Sequence, residues 1–212
     1  MPGERHMSRI KYFAIRYKNG STKIKKGTWE QIKPLVNGKS GVVFKGFLDI
    51  WEAEKWIEKS AVPYARDDSF MERGVIYLFV DGSYSSLRRC SGWGWVCVKN
   101  NKVLSEGFGV ITDTHIESRN IVGELKAAME ATHWAGQRYK EFMIVHDYMG
   151  ISSWALGLWS AKKPVSMQYQ NFMKNYVKDL KIGFIKVSGH KGVTWNEYAD
   201  MLTRKGYDKN DR

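Results

Sequence analysis

Five residues of this chain have the types and settings needed for chemistry on a charged group. Asp81 and Asp147 follow two runs that are apolar throughout, Val75 to Val80 and Phe142 to Val145. Such runs read as strands covered on both faces, central in their sheet. In open α/β sheets ligands bind beyond the carboxyl ends of strands, which places both aspartates well. The alternative, that each caps a helix or forms a turn, fits Asp147 better than Asp81. Glu124 lies on a helical stripe of Ile121, Leu125, Ala128, Met129 and Ala135, three residues after Ile121 and four before Ala128. An ionised carboxylate on a buried stripe must be paired or bind a metal. No Lys or Arg stands at an obvious spacing, so metal is favoured. Asp200 is the fourth acid, and His190 sits in the glycine-flanked loop Gly189-His190-Lys191-Gly192. Several acids and one histidine without thiolates select a hard, oxygen-loving cation, Mg²⁺ or Mn²⁺, over zinc. Acid clusters holding two such ions serve phosphoryl chemistry.

The elements that must position these residues can be read around them. Beyond the strand at 75–80, residues 91–99 and 102–110 are predicted to be two strands joined by a two-residue Asn100-Asn101 turn. A helix follows over 119–136, then the strand at 142–145, and helical segments near 148–158 and 166–180. A last strand spans 182–188 and a last helix 195–206. A meander followed by alternating helix and strand implies a mixed sheet with helices on its faces. Ahead of it lies a strand-strand-helix-strand-helix module over 10–59. Its first helix starts at Trp29 behind Thr28, carries Pro34 and closes at Asn37-Gly38. Its second helix, over 50–59, opens with Asp49 and Glu52 in capping-box spacing. Residues 60–73 lack periodicity and read as a linker, leaving 74–208 as the second domain.

Charge bears on the partner. The 212 residues carry 34 Lys and Arg against 22 Asp and Glu, net +12, and residues 1–60 alone carry +7. An excess concentrated in under a third of the chain suggests a polyanion, most often nucleic acid; a merely solubilising surface is the alternative. With the acid cluster, it points to a nuclease. The longest apolar run is strand length, so no membrane span is expected. The polar segment from Met1 to Arg9 gives no sign of a secretory signal. Cys90 and Cys97 are about 23 Å apart along one strand and cannot pair there. Two cysteines fit a reducing compartment, the cytoplasm.

Four segments together resemble type 1 ribonuclease H: FVDGS (79–83), RNIVGELKA (119–127), VHDYMGI (145–151) and GHKGVTWNEYADMLTRKG (189–206). Each alone is a weak signal; in this order, each in its element, they are specific, and the resemblance covers nearly all of 75–207. It implies a ribonuclease H-like mixed five-stranded sheet flanked by helices. It also implies a monomeric two-metal endonuclease that cuts the RNA strand of RNA–DNA hybrids, with no small-molecule cofactor beyond metal. On this resemblance Asp81, Glu124, Asp147 and Asp200 hold two Mg²⁺, with Mn²⁺ as a possible substitute. His190 assists proton transfer or product release, and Asn120 contacts substrate. Asp81, projecting from the central strand, is the choice for the bridging ligand. The short Ala161-Lys162-Lys163-Pro164 turn stands where relatives carry a long basic handle; it reads as a reduced gripping feature or as a solvated turn.

The N-terminal module resembles the small α/β hybrid-binding domain of some of these enzymes and of caulimovirus-type viroplasmins, through KYFAIRYKNG, TWEQIKPLVNG and GVVFKGF. The resemblance implies hybrid contacts by Phe13, Trp29, Phe44 and Lys45. Trp29 and Phe44 as ordinary core aromatics is the alternative. Gly46 replaces a lysine many relatives carry, and the Lys-rich loop at 18–27 is longer. Two rival functions stay open: a related two-metal DNA nuclease, which the GHKG loop and the N-terminal module disfavour, and a non-catalytic viroplasmin-like protein binding hybrid or duplex RNA, which the four acids disfavour.

Overall fold

The computed structural model describes residues 9–17, 19–39, 41–60, 62–112, 119–189 and 192–210. The chain divides into two compact units, residues 1–61 and 62–212. In the first, strand β1 (Lys11–Arg16) lies between β2 (Thr22–Gly27) and β3 (Val43–Phe47), antiparallel to both. Alternation along β1 divides the core. Phe13 and Ile15 pack with Ile32 and Val36 of helix α1 (Trp29–Val36). Ala14, between them, faces the other side with Val43, and there Phe47 of β3 meets Trp56 of helix α2 (Ile50–Ser60). Helix α1 opens on a capping box in which the Thr28 N–H donates to Gln31 Oε1 at 3.0 Å. Helix α2 opens on Asp49, whose Oδ1 accepts the Trp51 N–H at 2.6 Å.

The second unit is built on a six-stranded sheet of order β4-β9-β8-β5-β6-β7. The strands are β4 (Tyr64–Ala65), β5 (Tyr77–Ser85), β6 (Cys90–Lys99), β7 (Lys102–Ile111), β8 (Glu141–His146) and β9 (Lys181–Val187). β4, β9, β8 and β5 run parallel; β5, β6 and β7 form the antiparallel meander. Its hairpin turns on Asn100 and Asn101, both left-handed at φ 51° and 58°. Helices α3 (Arg119–Gly136), α4 (Met149–Ala155) and α5 (Pro164–Asp179) cover one face, where Leu78, Val80, Ile144 and Phe184 meet Leu125, Ala128, Tyr169 and Met173. Helix α6 (Thr194–Asn210) covers the other, where Phe79, Val145 and Ile185 meet Ala199 and Leu202. Among the described residues no helix is long and apolar enough to cross a membrane.

Three sequence expectations are corrected. Among the described residues the sheet has six strands, not five. The extra strand, β4, comes from residues 60–73, expected to be a free linker. Tyr64 and Ala65 pair with Lys186 and Val187. Farther along, the Asp68 carboxylate accepts from the Thr194 hydroxyl at 2.6 Å and from its N–H at 3.2 Å, capping α6 across 126 positions. A two-residue strand and a remote cap leave no periodic trace, since their partners are far away in sequence. The third correction concerns Asp81, expected to end its strand. β5 runs on to Ser85 because β6 stays paired with it, from Asp81↔Gly94 to Ser85↔Cys90, while the pairing with β8 stops at Phe79↔Val145.

Candidate active site

Asp81 therefore sits at a fork, where β8 leaves β5 while β6 continues. A crevice opens at such a point beyond the ends of parallel strands. Asp147, the residue after β8, enters it from one side. Glu124 enters from α3, which crosses unusually close to the sheet. A Cβ at Gly82 would lie 2.0 Å from the Glu124 nitrogen, and one at Gly123 would lie 2.3 Å from the Gly92 carbonyl. Only glycine permits this crossing, and it is what carries the Glu124 carboxylate to Asp81.

The result is a concentration of negative charge. Carboxylate oxygens of Asp81, Glu124 and Asp147 all lie within 4.8 Å of one another. Asp81 and Glu124 are each only 7% exposed, and Glu124 Oε2 has no hydrogen-bond partner. Burial, then the charges of Asp147 and Asp200, push Asp81 up to about 8. Burial and then Asp81 and Asp147 hold Glu124 well above the ordinary carboxylate range, while Lys186 pulls the other way. Tyr148, half-buried, is pushed up to about 12 by desolvation and then by the charge of Glu124. A set of mutually close, partly dry carboxylates with an unpartnered oxygen fits a hard divalent cation, which would replace the missing hydration and neutralise the repulsion.

Asp200 lines the same cleft but lies outside the group of three, and its Oδ2 accepts from Arg204 at 2.8 Å, one helical turn on. The cleft, of about 600 Å³, is completed by Ser83, Tyr84, Arg88 and Tyr207. The Ser83 and Tyr207 hydroxyls lie 2.9 Å apart, and the Tyr207 hydroxyl accepts the Gly92 N–H at 2.9 Å, tying α6 to the β5–β6 hairpin. The Arg88 guanidinium lies 5.7 Å from the Tyr207 ring centre. His190 lies outside the described residues, as does the Asn120 side chain, whose backbone opens α3. Gly189, the described residue before it, does reach the site: a Cβ there would lie 2.8 Å from Asp147 Oδ2.

Sequence reasoning missed Arg88, Arg204, Tyr207 and Lys186. The last had a readable signal. Ile182, Phe184 and Lys186 alternate onto one face of a strand predicted to be covered, so a lysine stands in an apolar row. The stripe argument for Glu124 found no cation by spacing because Lys186 comes from another strand, across the sheet.

In the N-terminal unit the structure brings together three of the four residues predicted to touch substrate. Trp29 and Phe44 stack at 5.4 Å and 22°, and are 38% and 37% exposed. Phe13, buried, supports Trp29 from 6.2 Å. Lys45 is not with them: it pairs with Ala14, on the α2 face, and lies over the Phe47 ring. Part of the expected Lys-rich loop is strand β2, and its alternation puts Lys23 and Lys25, paired with Ile15 and Phe13, on the aromatic face. Arg9 and Lys11 line a groove there with Phe13 and Trp29.

Comparisons with known proteins bear on the family and the fold. The profile of the RNase H family matches residues 73–208. A ribonuclease H of Brucella anthropi is 30% identical over 142 residues, covering 63% of this chain and 90% of that protein. One from Methylobacillus flagellatus is 27% identical over 146 residues, covering 66% and 95%. Among solved structures, LC11-RNase H1 in complex with RNA/DNA hybrid superposes with a TM-score of 0.55 at 19% identity, over 65% of this chain and 99% of that one. The RNase H1 of the archaeon Halobacterium salinarum does so with 0.54 at 19%, over 64% and 99%.

Proposed function

Because this chain belongs to the RNase H family and is a ribonuclease H, we propose that it cuts the RNA strand of RNA–DNA hybrids internally by a two-metal route, with the N-terminal unit gripping the hybrid. The observation that carries the reading is the trio of Asp81, Glu124 and Asp147, within 4.8 Å of one another and with a buried oxygen of Glu124 unpartnered. Asp81, at the fork of the sheet, would hold the ions together with Glu124 and Asp147. Asp200 completes the set by turning from Arg204. Two divalent ions of the Mg²⁺ or Mn²⁺ type, when bound, supply the charge that activates a water and stabilises the leaving 3′ oxygen.

The remaining work belongs to the chain's own side chains. Arg88, lodged against Tyr207 beside the acids, is placed to hold a backbone phosphate of the substrate. Asn120, one turn before Glu124, reads the 2′-OH that separates RNA from DNA. His190, which follows the Gly189 that lies beside Asp147, is assigned to proton transfer. Trp29 and Phe44 offer an exposed aromatic platform for a sugar or base, and Lys23, Lys25, Arg9 and Lys11 meet phosphates around it. Asp147→Asn tests the reading, since the change weakens a ligand and keeps the shape. Hybrid binding is expected to match wild type while cleavage is lost; near wild-type turnover would remove Asp147 from the site.

A further inference from the structure

Asn196 takes no part in the proposed mechanism, yet its side chain stands among the acids. It lies in the first turn of α6, where its N–H and that of Glu197 donate to the Val193 carbonyl at 3.1 and 3.2 Å. Asp68 caps that turn through Thr194, and Val193 and Ala199 are buried in the core. The backbone is therefore fixed, and only the side chain can choose a partner. Asn196 is 4% exposed, and its Oδ1 is buried without a hydrogen-bond partner among the described residues. An amide oxygen left unpaired in the interior is costly. Asn196, Asp200 and Arg204 follow at intervals of four, which makes them one stripe along α6. All three line a recess of about 270 Å³ together with Asp81, Asp147 and Glu197. The stripe thus faces two of the three clustered carboxylates. Ionised carboxylates only accept hydrogen bonds, so they repel the oxygen end of an amide and attract its NH₂ end. The buried oxygen agrees, leaving the NH₂ end to face the recess. Helical side chains lean toward the turn before them. Arg204 accordingly reaches back to Asp200, at 2.8 Å, and Asp200 leans back toward Asn196.

We propose that Asn196 is a positioning residue for Asp200: when Asp200 turns from Arg204 to the ions, the Asn196 NH₂ donates to one of its oxygens and aims the other at the cations. The inference rests on the metal reading of the cluster given above. Asp200 stands between two donors on one stripe, a guanidinium one turn after it and a neutral amide one turn before. Without ions the charged donor holds it, by the bond to Arg204. With ions bound, the amide fixes the turned carboxylate without adding a positive charge that would repel them. The hydrogen bond from Asn196 is made only in the loaded state, so it adds to metal affinity and not to the stability of the metal-free fold.

The test is full-length Asn196→Leu, of similar size and without a donor, with Mg²⁺ affinity measured by calorimetry without substrate and the thermal midpoint measured in EDTA. Mg²⁺ is expected to bind about tenfold more weakly, the worth of one hydrogen bond to a charged group. The midpoint in EDTA is expected at or above that of wild type, because the buried unpaired oxygen is gone. Unchanged Mg²⁺ affinity overturns the proposal, and with a lowered midpoint it marks Asn196 as ordinary packing. The action through Asp200 is read from a double-mutant cycle. In an Asp200→Asn background, Asn196→Leu is expected to weaken Mg²⁺ binding no further; an undiminished loss there overturns the proposal too. If Asn196→Leu does not fold, Asn196→Asp, which keeps the shape, decides. Its midpoint in EDTA is expected below wild type, since a further charge joins the cluster, against the small gain an acid brings to a helix's first turn. An equal or higher midpoint would place the side chain away from the acids and overturn the proposal. Wild type supplies the control: if it binds no Mg²⁺, the metal reading itself fails, whereas equal binding by wild type and Asn196→Leu sinks only the role of Asn196.

Discussion

On the proposed function, the acid cluster of the second unit and the aromatic face of the first are opposite ways of meeting one polyanion. The cluster keeps like charges close and largely dry, so its metal-free state is electrostatically unfavourable. The aromatic face leaves Trp29 and Phe44 over a third exposed, supported by a buried Phe13 and flanked by an exposed Lys23 and a half-buried Lys25. The first arrangement stores a demand for cations and can do chemistry. The second has no such cluster of charge, and on the same reading it serves binding alone. Removing a group from the cluster should therefore abolish turnover, whereas removing one from the aromatic face should shift affinity and leave the chemical step alone.

The largest effect is expected at Glu124. Glu124→Gln should lower kcat about 10³-fold or more, since several kcal/mol of charge stabilisation depend on the ligand set. Its thermal midpoint in EDTA should be at or above that of wild type at pH 8, because a neutral amide needs no counter-charge there. A large fall in that midpoint would show that Glu124 serves the fold rather than a cation. Next comes His190→Ala, expected to lower kcat about 10²-fold or less with little change in KM, as for a group acting in proton transfer. An unchanged kcat over pH 6–9 would leave it a bystander, and a loss as deep as that of Glu124→Gln would make it part of the ligand set.

On the aromatic face, Trp29→Ala should weaken hybrid binding by about 1–3 kcal/mol with kcat at saturation preserved. A drop in thermal midpoint without loss of affinity would instead place the ring in the core. Removing Lys23 and Lys25 together should have a milder effect, a reduction of the salt slope of binding by about two; an unaltered slope would separate these lysines from the phosphates. The smallest effect concerns pH. Asp81 is raised in the folded, metal-free protein to about 8, so the folded state holds a proton that the unfolded chain releases near its ordinary carboxylate value. With more protons bound when folded, this group's contribution to stability falls as pH rises between the two values. Stabilisation by Mg²⁺ should accordingly be greater at pH 8 than at pH 5, and Asp81→Asn should flatten the difference.

Much of this contrast could be read before the fold was known, and its gaps have physical causes. Asp81, Asp147 and Glu124 announced themselves because covered strands and an amphipathic helix leave strong periodic signals, and a carboxylate breaking such a row is conspicuous. The turn at Asn100-Asn101 and the capped start of α1 at Thr28 were equally local. Contacts made by chain crossing were not. The approach of Gly82 to Gly123 depends on the angle between a helix and a sheet. β4 depends on two residues finding β9 more than a hundred positions away. The side of the sheet taken by Lys45 and Lys25 depends on register, which a one-residue shift would invert. Lys186 was hidden because it reaches the α3 face from another strand, far from Glu124 in sequence.

On the proposed function, Asp81, Glu124 and Asp147 hold divalent cations in order to cleave RNA paired with DNA. The most direct measurement of this is cleavage of end-labelled RNA–DNA hybrid, duplex DNA and duplex RNA by the full chain, each with Mg²⁺, with Mn²⁺ and with EDTA. The expected result is internal cutting of the RNA strand of the hybrid with either ion, none in EDTA and none of either duplex. Cutting of duplex DNA at a comparable rate, or cutting of the hybrid in EDTA, would contradict it.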